Sequence, residues 1–161
     1  MRRLLLAAVL LTAAPALAQE PAGCDKFKWP LDRERALLAA PVPAPLAGTN
    51  AKPLGSAFTL SLSPYQPGPI TPSRPPKPGS NAGMIAMAAP PAAGMYRVTL
   101  SAGAWIDVFQ NGHEVPSTAF SGATGCEGVR KSVKFKLDAE PFTVAISGSP
   151  ASSIVLVVTP D

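Results

Sequence analysis

Apolar and polar side chains alternate along much of the chain after residue 55. Phe58, Leu60 and Leu62 alternate with Thr59 and Ser61, and Tyr96, Val98 and Leu100 with Arg97 and Thr99. Val133, Phe135 and Leu137 alternate with Lys134 and Lys136, and Phe142, Val144 and Ile146 form a further set. Successive side chains of a strand point to opposite faces, so each segment predicts a strand with one buried face. Residues 154–158 are continuously apolar, as in a central strand covered on both faces, and residues 84–87 predict a short strand before Pro90 and Pro91. Between residues 104–110 and 113–119, Asn111-Gly112 favours positive φ at both positions and predicts a two-residue hairpin turn. About eight short strands at close spacing predict an all-β fold, a single β-sandwich or jelly-roll-like domain.

One segment carries a helical pattern. Residues 29–40 place Leu31, Arg35 and Leu38 near one face, with Leu37 beside it, and Pro30 suits a first helical turn. Asp32 and Glu34 fall at the positive end of the dipole, and Pro41 and Pro43 stop the helix. Two to three turns are not stable alone, so the helix must dock, with its charges on a solvated face. The chain divides into a leader at 1–18, an N-terminal arm with helix and Pro-rich spacer at 19–54, and a β domain at 55–161. Within that domain, residues 64–78 hold seven prolines: Pro64, Pro67, Pro69, Pro72, Pro75, Pro76 and Pro78. The stretch reads as a stiff loop joining two strands, the alternative being a polyproline II ligand for a partner groove.

The leader changes the picture of charge and compartment. Arg2 and Arg3 precede an uncharged apolar run, and Ala16-Leu17-Ala18 supplies small residues, the pattern of a signal peptide cleaved after Ala18. The mature chain would have 143 of the 161 residues, and losing two arginines lowers the formal net charge from +4 to +2. That balance gives no case for a nucleic-acid partner, and no later apolar run predicts a transmembrane anchor. The expected location is periplasmic or secreted. The only cysteines, Cys24 and Cys126, read as a disulfide in an oxidising compartment. Acylation of Cys24 after Ala22-Gly23 is the competing fate.

Little in the chain suggests catalysis. His113 is the only histidine, set beside the hairpin turn, and there is no G-x-S-x-G elbow or phosphate-cradling motif. Asp107 and Glu114 are the only nearby carboxylates for a glycosidase pair. Met84, Met87, Met95 and His113 are soft copper ligands by type, but scattered methionines in a β core read first as packing. No metal or other cofactor is expected. The hairpin register brings out the main candidate site. Pairing Gln110 with His113, Phe109 with Glu114 and Val108 with Val115 puts Trp105, Asp107, Phe109 and Glu114 on one face. Two aromatics beside two carboxylates suit a sugar ring and its hydroxyls; the competing reading makes this face core, or covered by the helix and Trp29. Buried there, Asp107 would need a backbone amide or a cation such as Lys131. Arg130, Lys134 and Lys136 should form an outward basic surface, with Lys131 on the inward parity at the strand entrance.

Gly23-Cys24-Asp25-Lys26-Phe27, Arg33-Glu34-Arg35-Ala36-Leu37, Ala104-Trp105-Ile106-Asp107-Val108 and Arg130-Lys131-Ser132-Val133-Lys134-Phe135 resemble a group of small exported bacterial proteins without a settled activity. Some members bear the label homogentisate 1,2-dioxygenase. A mononuclear iron oxygenase needs several His and carboxylate ligands, and one histidine does not supply them. The expected function is an exported, non-catalytic binding or structural accessory protein of the cell envelope. The alternatives are a small carbohydrate-binding module on the aromatic face and, more weakly, an enzyme.

Overall fold

The computed structural model describes residues 20–43, 51–68 and 71–161. The expected leader, most of the residues after Pro43 in the spacer, and Pro69 of the loop lie outside the described residues. The fold is an all-β sandwich. One sheet has the order β1 (Val42–Pro43), β2 (Ala57–Ser61), β11 (Ser153–Pro160), β5 (Gly94–Leu100), β9 (Lys131–Leu137), β8 (Ser117–Gly122). We call it the arm sheet. The other, the loop sheet, has the order β3 (Ser63–Pro64), β4 (Asn81–Met87), β10 (Phe142–Ser149), β6 (Trp105–Gln110), β7 (His113–Val115). Pairing is antiparallel except for the short parallel contact of β1 with β2, which draws the start of the expected spacer into a sheet.

The alternating positions build the core as expected. Val98, Leu100, Leu137 and Leu156 from the arm sheet meet Met87, Val108, Val144 and Ile146 from the loop sheet in one cluster, all at most 1% exposed. β11 is central, flanked by β2 and β5. Asn111 (φ 51°) and Gly112 (φ 77°) make the hairpin turn, with Val108 opposite Val115, Phe109 opposite Glu114 and Gln110 opposite His113. Side-chain parity decided this register, because a one-residue slip would turn Val108 out of the core.

Several boundaries differ from the sequence reading. The expected strand at 113–119 divides at Pro116: Val115 pairs in the loop sheet, Ser117 in the arm sheet. Pro116 offers no ladder N–H, so the chain changes sheet there. The segment at 55–63 divides likewise at Leu62, after β2. Gly83 lies under this crossing. A Cβ at Gly83 would come within 2.8 Å of Leu62 Cδ2 and 3.1 Å of the Ser61 carbonyl oxygen. The helix α1 spans Asp32–Leu38, less than residues 29–40. Tertiary contacts hold its expected start open: Arg97 Nη1 donates to the Pro30 carbonyl at 3.0 Å and Trp29 Nε1 to Ser132 Oγ at 3.1 Å.

Candidate functional site

Both outer faces of the sandwich are covered, by different means. On the arm sheet the outward positions of β5, β9, β11 and β8 include Thr99, Ser132, Thr159 and Ser121, each at most 3% exposed. Three of these small hydroxyls meet the N-terminal arm, and Thr99 bonds Ser132 Oγ at 3.0 Å. Ser121 Oγ accepts from the Lys28 N–H at 2.9 Å, Ser132 Oγ from Trp29, and Thr159 Oγ1 donates to Glu34 Oε1 at 2.5 Å. Leu31 and Leu38 add a satellite core with Ala57, Val129, Val157 and Cys126. The expected bridge is present between Cys24 and Cys126, 102 residues apart, and fastens the arm beside its first turn.

Glu34 corrects the expectation of a solvated helix face: it is 1% exposed, while Arg35 faces solvent. Burial pushes its carboxyl upward. The Thr159 hydroxyl, the backbone and the Arg33 guanidinium outweigh that, leaving it below the ordinary glutamate range. Arg97 Nη1 lies 3.8 Å from the other carboxylate oxygen, Oε2. Arg97 and Lys134 also bind the Asp161 carboxylate, at 2.6 and 2.7 Å, and the Lys134 ammonium lies 4.5 Å from the Trp29 ring centre. The expected basic surface is therefore largely spoken for. Arg130 pairs with Glu20, Lys134 holds Asp161 and Trp29, and Lys136 alone of the three is exposed. β9 is also an interior strand, between β5 and β8.

The loop sheet carries the candidate face. Trp105, Asp107, Phe109 and Glu114 share its outer side, as the register requires. Trp105 and Phe109 are half-buried, Asp107 is 3% exposed and Glu114 is exposed. Neither the helix nor Trp29 lies here; the Pro-rich loop covers Trp105 and Asp107 and leaves Glu114 open. The Ser73 N–H donates to Asp107 Oδ2 at 3.3 Å, and the Ser73 hydroxyl donates to Asp107 Oδ1. Trp105 Nε1 donates to Asp107 Oδ1 at 3.0 Å and to Ser73 Oγ at 2.6 Å. Asp107 thus finds a backbone amide, a hydroxyl and an indole rather than the ammonium of Lys131. Lys131 Nζ instead donates to the Ala104 carbonyl at 2.9 Å. Burial, and then the neighbouring Arg130 charge, lower the Lys131 pKa, with Arg74 adding to them and Asp107 opposing. The Trp105 ring is flanked by two cations, Lys131 Nζ at 4.8 Å and the Arg74 guanidinium at 5.4 Å from its centre. Neither makes an ion pair among the described residues.

Beside this cluster a cleft of about 180 Å³ opens between the loop and the sheet. Pro64, Tyr65 and Pro72 wall it on the loop side, and Met84, Ala145 and Ser147 on the strand side. Met84 is 51% exposed at this cleft. Ala145 stands opposite Asp107 and Ser147 opposite Trp105, so the cleft adjoins the charged cluster directly. Sequence reading missed Ser73, Arg74 and Ser147, because which loop lies over a sheet face leaves no trace in strand alternation.

The other candidate sets are not gathered. Met84 faces out from β4 while Met87 is in the core, Met95 follows the outward parity of β5, and His113 is exposed at the turn. No group of three His, Cys, Asp or Glu side chains suited to a metal occurs among the described residues. No protein-family model matches the chain, and comparison with curated proteins and with solved structures finds no significant relative.

Proposed function

We propose that this is an exported, non-catalytic accessory protein that binds a component of the cell envelope through the outer face of the loop sheet. The observation that carries the reading is the cover of that face. The Pro-rich loop is pinned at Ser73 on Asp107, leaves a cleft beside it, and carries Arg74 to the Trp105 ring, which Lys131 at the start of β9 also flanks; neither cation has a carboxylate partner among the described residues. The signal-peptide pattern of residues 1–18 supports a periplasmic or secreted location. The disulfide is compatible with such a compartment, and no described helix is long and apolar enough to cross a membrane. A binding role is favoured over catalysis because both Asp107 oxygens accept hydrogen bonds, and His113 follows the Gln110 parity, away from the Asp107 face. Glycan stacking is the second reading. It is less favoured because Lys131 and Arg74 already flank the Trp105 ring, and its N–H is engaged.

The test is sedimentation of the purified protein with isolated sacculi and with anionic vesicles, at low and moderate salt. Binding is expected to fall severalfold with Arg74→Glu and to be unaffected by Lys136→Ser. Equal binding by wild type and Arg74→Glu would reject the proposed face.

A further inference from the structure

The cleft beside the Pro-rich loop contains a polar group whose needs the protein does not meet. Ser147 is 3% exposed, and its Oγ is the one buried side-chain oxygen or nitrogen among the described residues with no hydrogen-bond partner. A serine hydroxyl both donates and accepts, and burying it unsatisfied is unfavourable. Parity puts the Ser147 side chain on the outer face of β10, with Ala145 and opposite Trp105, where the cleft lies. Around it the walls are mostly apolar, with Pro64, Tyr65, Pro72, Met84 and Ala145, and Gln66 is the one amide side chain among the lining residues. A volume of about 180 Å³ is slightly larger than the roughly 150 Å³ of an apolar cavity that accepts benzene.

We infer that this cleft is a binding site for a single-ring, largely apolar molecule carrying one hydrogen-bonding group, which engages the Ser147 hydroxyl. The size of the cleft sets the ring, its walls set the apolar body, and the unpartnered hydroxyl sets the single polar group. An uncharged ligand group suits Ser147, since no cation lines the cleft and Arg74 and Lys131 sit around Trp105 beyond it. The inference rests on the proposal that this outer face binds ligands, and it names a ligand class for the cleft next to the charged cluster.

Benzyl alcohol and toluene, titrated into the oxidised full-length chain and followed by amide chemical shifts, provide the test. Saturable shifts at Met84, Ala145 and Ser147 are expected with benzyl alcohol. Toluene should bind about fivefold more weakly, the effect of one neutral hydrogen bond. Ser147→Ala removes only an unsatisfied hydroxyl, so it should fold as well as the wild type and bind the two probes equally. Ala145→Leu should fill the cleft and abolish both shifts. No saturable shift with either probe overturns the inference, as does a preference for the alcohol that survives Ser147→Ala. Sedimentation with sacculi or vesicles is read separately: its loss with benzyl alcohol binding intact would reject the envelope reading and keep the cleft.

Discussion

The two outer faces of the sandwich solve one physical problem in opposite ways. Each presents strand positions that would leave half-buried side chains in water. The arm sheet is closed by a segment fixed covalently at Cys24–Cys126, by a buried carboxylate at Glu34, and by the indole of Trp29. The loop sheet is closed by a Pro-rich segment anchored at Ser73, and a cleft remains open beside Met84. A proline-rich cover loses little backbone entropy on ordering, so a few hydrogen bonds hold it, whereas the described part of the arm is held by a cross-link and a core of its own. The firmly closed face contributes stability. The lightly closed one is where binding is proposed, in line with the tendency of low-stability segments to serve ligands.

The two faces should differ most in their response to loss of the bridge. Replacing Cys24 and Cys126 by Ser should lower unfolding free energy by about 2–4 kcal/mol, since the loop it closes is long. Hydrogen exchange should show amides of Lys28 and of α1 losing protection while those of β5 and β10 keep theirs. Uniform loss would mean that the arm and the core are a single cooperative unit.

Next comes Glu34. Glu34→Ala strands Thr159 and leaves Arg97 short of a buried partner, a loss of about 2–3 kcal/mol by chemical denaturation. Its pH dependence has a defined sign. The folded pKa lies below the unfolded value, so the contribution is complete above the ordinary glutamate range and disappears as pH falls through the lowered folded value. Asp161 titrates in the same direction, held down by Lys134 and then by Arg97. Glu34→Gln should therefore flatten the acid limb of the stability curve below about pH 4. An unchanged limb would remove Glu34 from the account.

On the loop face the effects should be smaller. Asp107→Asn weakens the anchor of Ser73 and should cost about 1–2 kcal/mol, with protection lost at Ser73 and Arg74 but not at Arg33 or Leu38. Loss at the arm as well would couple the two faces. The smallest effect separates two residues of one strand. Lys136→Ser should change stability by no more than about 0.5 kcal/mol, as for a free surface lysine. Lys134→Ser, which abandons Asp161 and the Trp29 ring, should cost about 1 kcal/mol. Equal effects would show that the Lys134 contacts are solvated away.

Alternation with a period of two fixes which residues of β5, β9 and β10 face inward, because any slip would exchange Val98, Phe135 and Val144 for Thr99, Lys134 and Thr143. The Asn111-Gly112 turn fixes the β6–β7 register by the same local logic, and with it the grouping of Trp105, Asp107, Phe109 and Glu114. The division of a strand at Pro116 was less legible, since a missing N–H marks a break but not the sheet on which the chain resumes. Glu34 was misread because helical periodicity sorts charges from apolar groups, while a hydroxyl 125 residues away at Thr159 accommodates the carboxylate in the interior. The cover over Asp107 could not be read at all. Which long segment lies over which sheet depends on strand order and the path between sheets, and these arise from contacts far apart in the chain. The strands and their inner faces were thus determined locally by sequence. What lies against their outer faces was decided only when the sandwich closed and brought Ser73 onto Asp107.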